Sequence, residues 1–274
     1  MPELPEVETI RKGLDRLIVG KEIVKVTSRS FKQLKPSLKM VRQVVLGTKV
    51  KKVGRRAKVL QLFLDNGQIL IVHLKMTGQL IYRPKTNKQE LRGEYTRAII
   101  EFKDGSRLFF NDLRKFGWIK LVSDKKELKN VLAKFGPEPL TDLDLKTFRE
   151  IMASTKRSVK IVLMDQKKIA GVGNIYANDA LFLAGIDPRR PANKLTERET
   201  EKLFCSLERV LRAGLQHRGA SDQHYLDALG QKGSYQDHFL VYDREGKACF
   251  QCSGLVRKIK IGGRGTYFCP HCQR

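Results

Sequence analysis

The sequence predicts an α+β multidomain protein: an N-terminal antiparallel β-sandwich or barrel with flanking helices, a helical second domain, and a short C-terminal β-hairpin. Three observations carry this reading. Runs rich in β-branched and aromatic residues, turned at Asn66-Gly67 and Asp104-Gly105, fill much of the first half. Beyond GPEPLTDLD, residues 136–144, the apolar period changes from strand to helix. Four of the five cysteines crowd into the last 26 residues.

The chain opens with a helix. Val7, Ile10, Leu14, Leu17 and Ile18 recur at helical spacing, and Gly20 stops them. Pro5 suits the first turn, where its missing N–H costs nothing. Glu3 and Glu6 then lie at the positive end of the helix dipole. From about Glu22 to Val122 the pattern is strands, in KEIVKVTS, KVLQLFLDNGQILIVHL and RAIIEFKDGSRLFFN, with one short helix near 36–46. Residues 142–216 are helical by period, broken at AGVGN and GIDPRRP. The stretch 217–235 is of mixed character with three glycines and reads as a candidate mobile loop. The tail returns to short strands. The expected domains are 1–135, 136–235 and 236–274.

Composition narrows the partners. Fifty-four Lys and Arg against 29 Asp and Glu give a net charge of +25, a field that draws polyanions, nucleic acid first among them. KVKKVGRRAK, residues 49–58, holds six basic residues and no acid. No apolar run has the length of a membrane span, and no secretory signal is evident. The expectation is a cytoplasmic, nucleoid-associated protein that binds no membrane.

Cys249, Cys252, Cys269 and Cys272 form two CxxC pairs sixteen residues apart. That spacing suits a four-thiolate zinc site on two knuckles of a hairpin, with redox pairs as the alternative. Four sulfurs leave no open position, so such a zinc is structural. Cys205, with Leu203 and Leu207 nearby, reads as a core thiol. IGGRGTYF presents Arg264 beside glycines, a suitable tip for phosphate. In AGVGNIYANDALFLAG, residues 170–185, Asn174 can cap the following helix, and the exposed backbone N–H groups suit a phosphate among Lys156, Arg157, Lys160, Lys167 and Lys168. A helix pair packed for its own sake is the other reading.

PELPEVET at the start, RRAK at 55–58, HLKMTG at 73–78, NDLRKFG at 111–117, GPEPL at 136–140, AGVGNIYA at 170–177 and the terminal cysteine pairs occur in order. Together they resemble the formamidopyrimidine-DNA glycosylases, bacterial base-excision repair enzymes, over the whole chain. The sister endonuclease VIII branch begins differently. The resemblance implies a catalytic β-sandwich, a helix-two-turn-helix DNA-binding domain and a zinc finger carrying one structural zinc ion. It implies a monomer that flips and excises oxidised purines, 8-oxoguanine and formamidopyrimidines, from duplex DNA, then nicks the strand by β,δ-elimination.

The same resemblance gives Pro2 its role. Trimming of Met1 would leave Pro2 a secondary amine, and a terminal α-amine with pKa near 8 is far more nucleophilic at neutral pH than a lysine near 10.4. By resemblance Glu3 is the proton donor that helps the base leave, and Glu6 orients the sugar or holds Pro2. Either could instead be a first-turn acid. Lys58 matches the donor for β-elimination and Arg264 that for δ-elimination. Met76, Arg114 and Phe116 match the wedge that fills the gap left by a flipped base, although Met76 or Phe116 alone would read as core. Asn174 and Tyr176, with Lys160 in the same strip, match backbone-phosphate contacts, and Lys156 is a further candidate. Two departures bear on lesion choice rather than on the reaction. GEYTR replaces a histidine-rich EKHxH stretch, putting Tyr95 where a DNA-contacting histidine is expected. The lesion-capping loop reads RGASDQHYL instead of beginning Gly-Gly.

Overall fold

A computed structural model describes residues 1–29, 32–86, 93–222 and 224–274. The chain divides into two compact units, Met1–Ala133 with His217–Ser234, and Lys134–Gln216 with Tyr235–Arg274. This differs from three consecutive segments. Residues 217–234 join the first unit, where Ala228 accepts from Tyr82 N at 2.8 Å, and the tail joins the helices. One residue of the expected capping loop, Gln223, lies outside the described residues.

In the first unit α1 spans Leu4–Ile18, followed by β1 (Ile23–Ser28), β2 (Leu34–Lys35) and α2 (Leu38–Val45). β3 (Val50–Arg56), β4 (Val59–Leu64), β5 (Ile69–His73), β6 (Gly78–Arg83), β7 (Thr96–Phe102), β8 (Arg107–Asp112) and β9 (Trp118–Val122) come next, and α3 (Lys125–Leu132) ends the run. The strands make a four-stranded sheet, β1-β7-β8-β6, and a five-stranded one, β2-β9-β5-β4-β3. Among the described residues these pairings are antiparallel except the short β2–β9 pair. Gly67 and Gly105 turn the β4–β5 and β7–β8 hairpins at φ +86 and +82, conformations that cost glycine nothing. Val7, Ile10, Leu14 and Ile18 from α1 share one core with Val53, Leu62 and Val72 of one sheet and Ile100, Phe102 and Phe110 of the other. This is the predicted sandwich.

The second unit holds α4 (Leu145–Ala153), α5 (Val159–Met164), α6 (Asn174–Ala184) and α7 (Glu197–Gln216), then the hairpin of β10 (Arg257–Ile261) and β11 (Arg264–Phe268). Gly185 ends α6 in the left-handed conformation expected of a C-terminal glycine. Cys205 is exposed, contrary to expectation. Leu203 and Leu207 are one turn apart on the buried side of α7, which turns a residue midway between them outward. The hairpin has no separate core: Phe182 of α6 packs with Val241, Cys249, Val256, Tyr267 and Cys269. No helix among the described residues is long and apolar enough to cross a membrane.

Candidate DNA-processing site and its supporting metal centre

The N-terminus of α1 is buried, with Pro2, Glu3 and Glu6 all shielded while Met1 is exposed. Glu3 and Glu6 form a reciprocal capping box, and Glu3 N donates to Glu6 Oε2 at 2.7 Å. The other Glu6 oxygen accepts from Ala220 N at 2.8 Å, so a residue of the 217–234 segment sits on the same carboxylate. Gly219 is required there, since a Cβ would fall 2.8 Å from Glu6 Cγ.

Lys58 lies in the two-residue turn between β3 and β4, where Arg56 pairs with Val59. It is only 4% exposed, and the preceding Ala57 has φ +52. A left-handed non-glycine residue costs roughly 1 kcal/mol and persists where its surroundings fix it. Arg55 does the fixing, donating from Nη1 to Ala57 O and from Nε to Glu8 Oε2 of α1, both at 2.9 Å. Burial pushes the Glu8 carboxyl up, but hydrogen bonds from Arg11 and Arg55 outweigh it and hold it below its ordinary value. Arg55 thus ties the helix bearing Pro2 and Glu3 to the turn bearing Lys58. His73 was overlooked in the sequence although it begins HLKMTG. It pairs with Val59, next to Lys58, and its Nδ1 accepts from Lys75 N at 3.0 Å.

Met76, Arg114 and Phe116 come from two loops, and Arg114 touches both of the others. Arg114 Nη1 is 3.1 Å from Met76 Sδ, and its guanidinium lies 4.9 Å from the Phe116 ring centre. Met76 and Phe116 are 38% and 51% exposed, so neither belongs to the core. Lys75 and Lys115 hold φ +54 and +59 beside them. Tyr95 is exposed as well.

In the second unit Gly262 and Gly263 make the two-residue turn of the hairpin at φ +54 and +76, and exposed Arg264 follows. Asn174 does not cap α6. Gly173 is the N-cap, and Asn174 Nδ2 donates to Gly265 O at 3.0 Å. Lys160 and Tyr176, expected at DNA phosphates, are instead buried. Lys160 is 1% exposed, and its Nζ donates to Gly265 O at 2.9 Å and Thr266 Oγ1 at 2.7 Å. A buried ammonium needs such acceptors, and here they are the hairpin residues beside Arg264. Tyr176 stacks on Tyr235, centroids 5.0 Å apart, and Gly214 makes room, since a Cβ there would lie 2.4 Å from the Tyr176 hydroxyl. Lys156 remains exposed.

The Sγ atoms of Cys249, Cys252, Cys269 and Cys272 all lie within 4.8 Å of one another. A tetrahedron with Zn–S near 2.3 Å requires S···S separations of about 3.8 Å. Cys249–Cys272 is 3.8 Å and Cys252–Cys269 is 3.5 Å. The four thiols fit one structural zinc ion.

Known proteins resemble this chain along its whole length. The sequence matches the formamidopyrimidine-DNA glycosylase N-terminal domain over residues 1–119 and its H2TH domain over 135–225. Residues 246–274 match the zinc finger found in FPG and IleRS. The formamidopyrimidine-DNA glycosylases of Streptococcus pneumoniae and Pelotomaculum thermopropionicum are 38% and 39% identical, each alignment covering 100% of this chain and 99% of the relative. Lactococcus lactis Fpg in complex with abasic-site DNA superposes with a TM-score of 0.92 at 34% identity, covering 99% of both chains. The same enzyme with Fapy-dG-containing DNA gives 0.91 at 33% identity, over 99% of this chain and 100% of that one.

Proposed function

The chain belongs to the formamidopyrimidine-DNA glycosylase family, and on that premise we propose that it is a bifunctional glycosylase and AP lyase. It excises 8-oxoguanine and formamidopyrimidines from duplex DNA through an imine at Pro2, then cuts the strand by β,δ-elimination. It works as a monomer on cytoplasmic DNA. With Met1 removed, the Pro2 amine attacks C1′ of the damaged nucleotide while Glu3 gives a proton to the opening sugar. The base leaves with the C1′–N bond electrons, and the amine loses its proton to form the iminium. That electron sink acidifies the C2′ proton. Its loss expels the 3′ phosphate with Lys58 as proton donor, and a second elimination expels the 5′ phosphate with Arg264 as donor.

Base release requires extrusion from the stack. Met76 and Phe116 occupy the space the nucleotide leaves, and Arg114 takes the orphaned opposite base. Tyr95, Lys156, Asn174 and Arg264 meet the DNA. Lys160 and Tyr176 act one step back, by holding the Arg264 hairpin and α6.

The observation that carries this reading is the Arg55 bridge, which joins α1 to the Lys58 turn through Glu8 and Ala57 O. That bridge supports the reading by holding α1 and the Lys58 turn on one frame. The test is trapping with borohydride on a lesion duplex. Protein processed to Pro2 is expected to give a covalent adduct, and acetylating or extending the N-terminus should abolish it, since an amide nitrogen is no nucleophile. An undiminished adduct with the amine blocked would end the proposal.

A further inference from the structure

Asp112, at the end of β8, is fully buried and has no part in the chemistry above. Its Oδ2 accepts from Gly117 N at 2.7 Å and from Gln33 Nε2 at 3.1 Å, and its Oδ1 accepts from the Thr77 hydroxyl. Thr77 directly follows Met76, and Gly117 directly follows Phe116. The Thr77 oxygen in turn accepts from Arg114 N at 2.9 Å. One carboxylate, directly or through one hydroxyl, therefore fixes the backbone at or beside all three wedge residues.

The surroundings leave little slack. A Cβ on Gly117 would lie 2.9 Å from Phe110 Cζ and 3.1 Å from Asp112 Oδ2. Gln33 Nε2 also donates to Gly117 O at 3.2 Å, and Gln33 O accepts from Ile119 N at 2.7 Å. Lys75 and Lys115 hold left-handed backbone in the same two loops, conformations a loose loop would abandon. Three donors converge on two carboxylate oxygens. An amide in that place would turn one acceptor into a donor and break the set.

We infer that Asp112 is a positioning residue for base eviction. Together with Thr77 it locks the Met76 loop and the Arg114–Phe116 loop into one preformed wedge, so the wedge enters the duplex without being ordered on arrival. The inference rests on the proposed wedge role of Met76, Arg114 and Phe116.

The test uses the full zinc-loaded chain with a native Pro2 terminus. Single-turnover excision of 8-oxoguanine from a duplex is compared with cleavage of a preformed abasic site, where less has to be forced out. Thr77→Val, nearly isosteric, and Asp112→Asn are expected to slow excision about tenfold and abasic cleavage less than about twofold. A 2-aminopurine beside the lesion should report unstacking delayed by the same factor, and Thr77→Ser should restore the rate. Equal losses on both substrates would overturn the inference, because they mark Asp112 as general support for the sheet. No loss in either variant would also overturn it. If Asp112→Asn fails to fold, the Thr77 pair decides. Met76→Ala and Phe116→Ala run alongside. If these leave excision unchanged, the wedge reading falls and the inference with it. If they slow excision and Thr77→Val does not, the wedge stands and the clamp alone is lost.

Discussion

In the first unit the proposed wedge, Met76, Arg114 and Phe116, stands on a sandwich whose core includes Val7 and Phe110, and its loops are held by a buried carboxylate, Asp112. In the second unit Arg264 stands on a two-stranded hairpin held by four cysteines and a buried ammonium, Lys160. Both solutions position exposed side chains on strained or glycine-made turns. They differ in what supplies the rigidity. A large sheet core supports loops through side-chain hydrogen bonds alone. Two strands cannot, and borrow a metal together with one apolar face of α6. Metal sensitivity should accordingly concentrate in the second unit.

Removal of zinc should separate the two units most strongly. Chelation, or Cys269→Ser, should disorder the hairpin and leave the sandwich folded, because the sandwich has its own core. The loss should spread to the C-terminal half of α6, since Phe182 shares the hairpin's cluster. DNA affinity should fall steeply with a shallower salt dependence, each lost phosphate contact removing about 0.9 from the slope. Circular dichroism and lesion-duplex binding on the same metal-free sample check this. Full binding without zinc would show that the hairpin does not carry Arg264's role.

A smaller effect separates Lys160 from Lys156. Lys160→Met leaves hairpin acceptors without their ammonium, so thermal stability of the second unit should drop by about 2 kcal/mol. Affinity should fall roughly tenfold in consequence, with the salt slope nearly unchanged in protein that remains folded. Lys156→Ala removes an exposed charge, so stability should hold while the slope becomes shallower by about 0.9. Melting curves and salt titrations of both variants decide. An unaltered melting temperature with a shallower slope for Lys160→Met would return that residue to the DNA face.

Lys160 is buried by partners that local pattern does not reveal. The period of Val7, Ile10, Leu14 and Ile18, the Asn66-Gly67 and Asp104-Gly105 turns, and the cysteine spacing are each specified within a few residues, and each appears in the structure. Motifs single out Met76, Arg114 and Phe116, but not the contacts of Arg114 with the other two. Burial of Lys160 depends on acceptors 105 and 106 residues away, and burial of Tyr176 on a glycine in α7. Asp112 and Gln33 are 79 residues apart. A single sequence gives no sign of such pairings. The 217–234 segment shows the same limit: its glycines read as looseness, whereas Gly219 is there to approach Glu6.

Asp179 gives the second unit a small pH dependence of its own. Asp179 of α6 is buried and accepts from Val241 N at 3.1 Å, Tyr242 N at 3.2 Å, Leu240 N at 3.3 Å and the Tyr235 hydroxyl at 3.2 Å. These contacts fasten the segment that leads into the first cysteine pair. Burial pushes the carboxyl up to about 6, more than the hydrogen bonds pull it down. In the unfolded chain the same group titrates near 3.9. Between those values the folded protein keeps a proton that the unfolded chain has released. Asp179 therefore favours folding at low pH, and its contribution is lost as pH rises through about 6. Glu199, held down to about 2 by hydrogen bonds from Arg190, has the opposite sign, but its contribution is lost only as pH falls below the ordinary carboxylate range. Between pH 5 and 7 the Asp179 effect should stand out. Asp179→Asn cannot titrate, so the wild-type second unit should lose about 1 kcal/mol more than the variant over that interval. Taking the difference between two zinc-loaded proteins cancels any common effect of pH on the thiolates. Denaturant unfolding followed by Tyr fluorescence at the two pH values measures it. Equal slopes in the two proteins would mean that the Asp179 carboxyl does not gain its proton on folding.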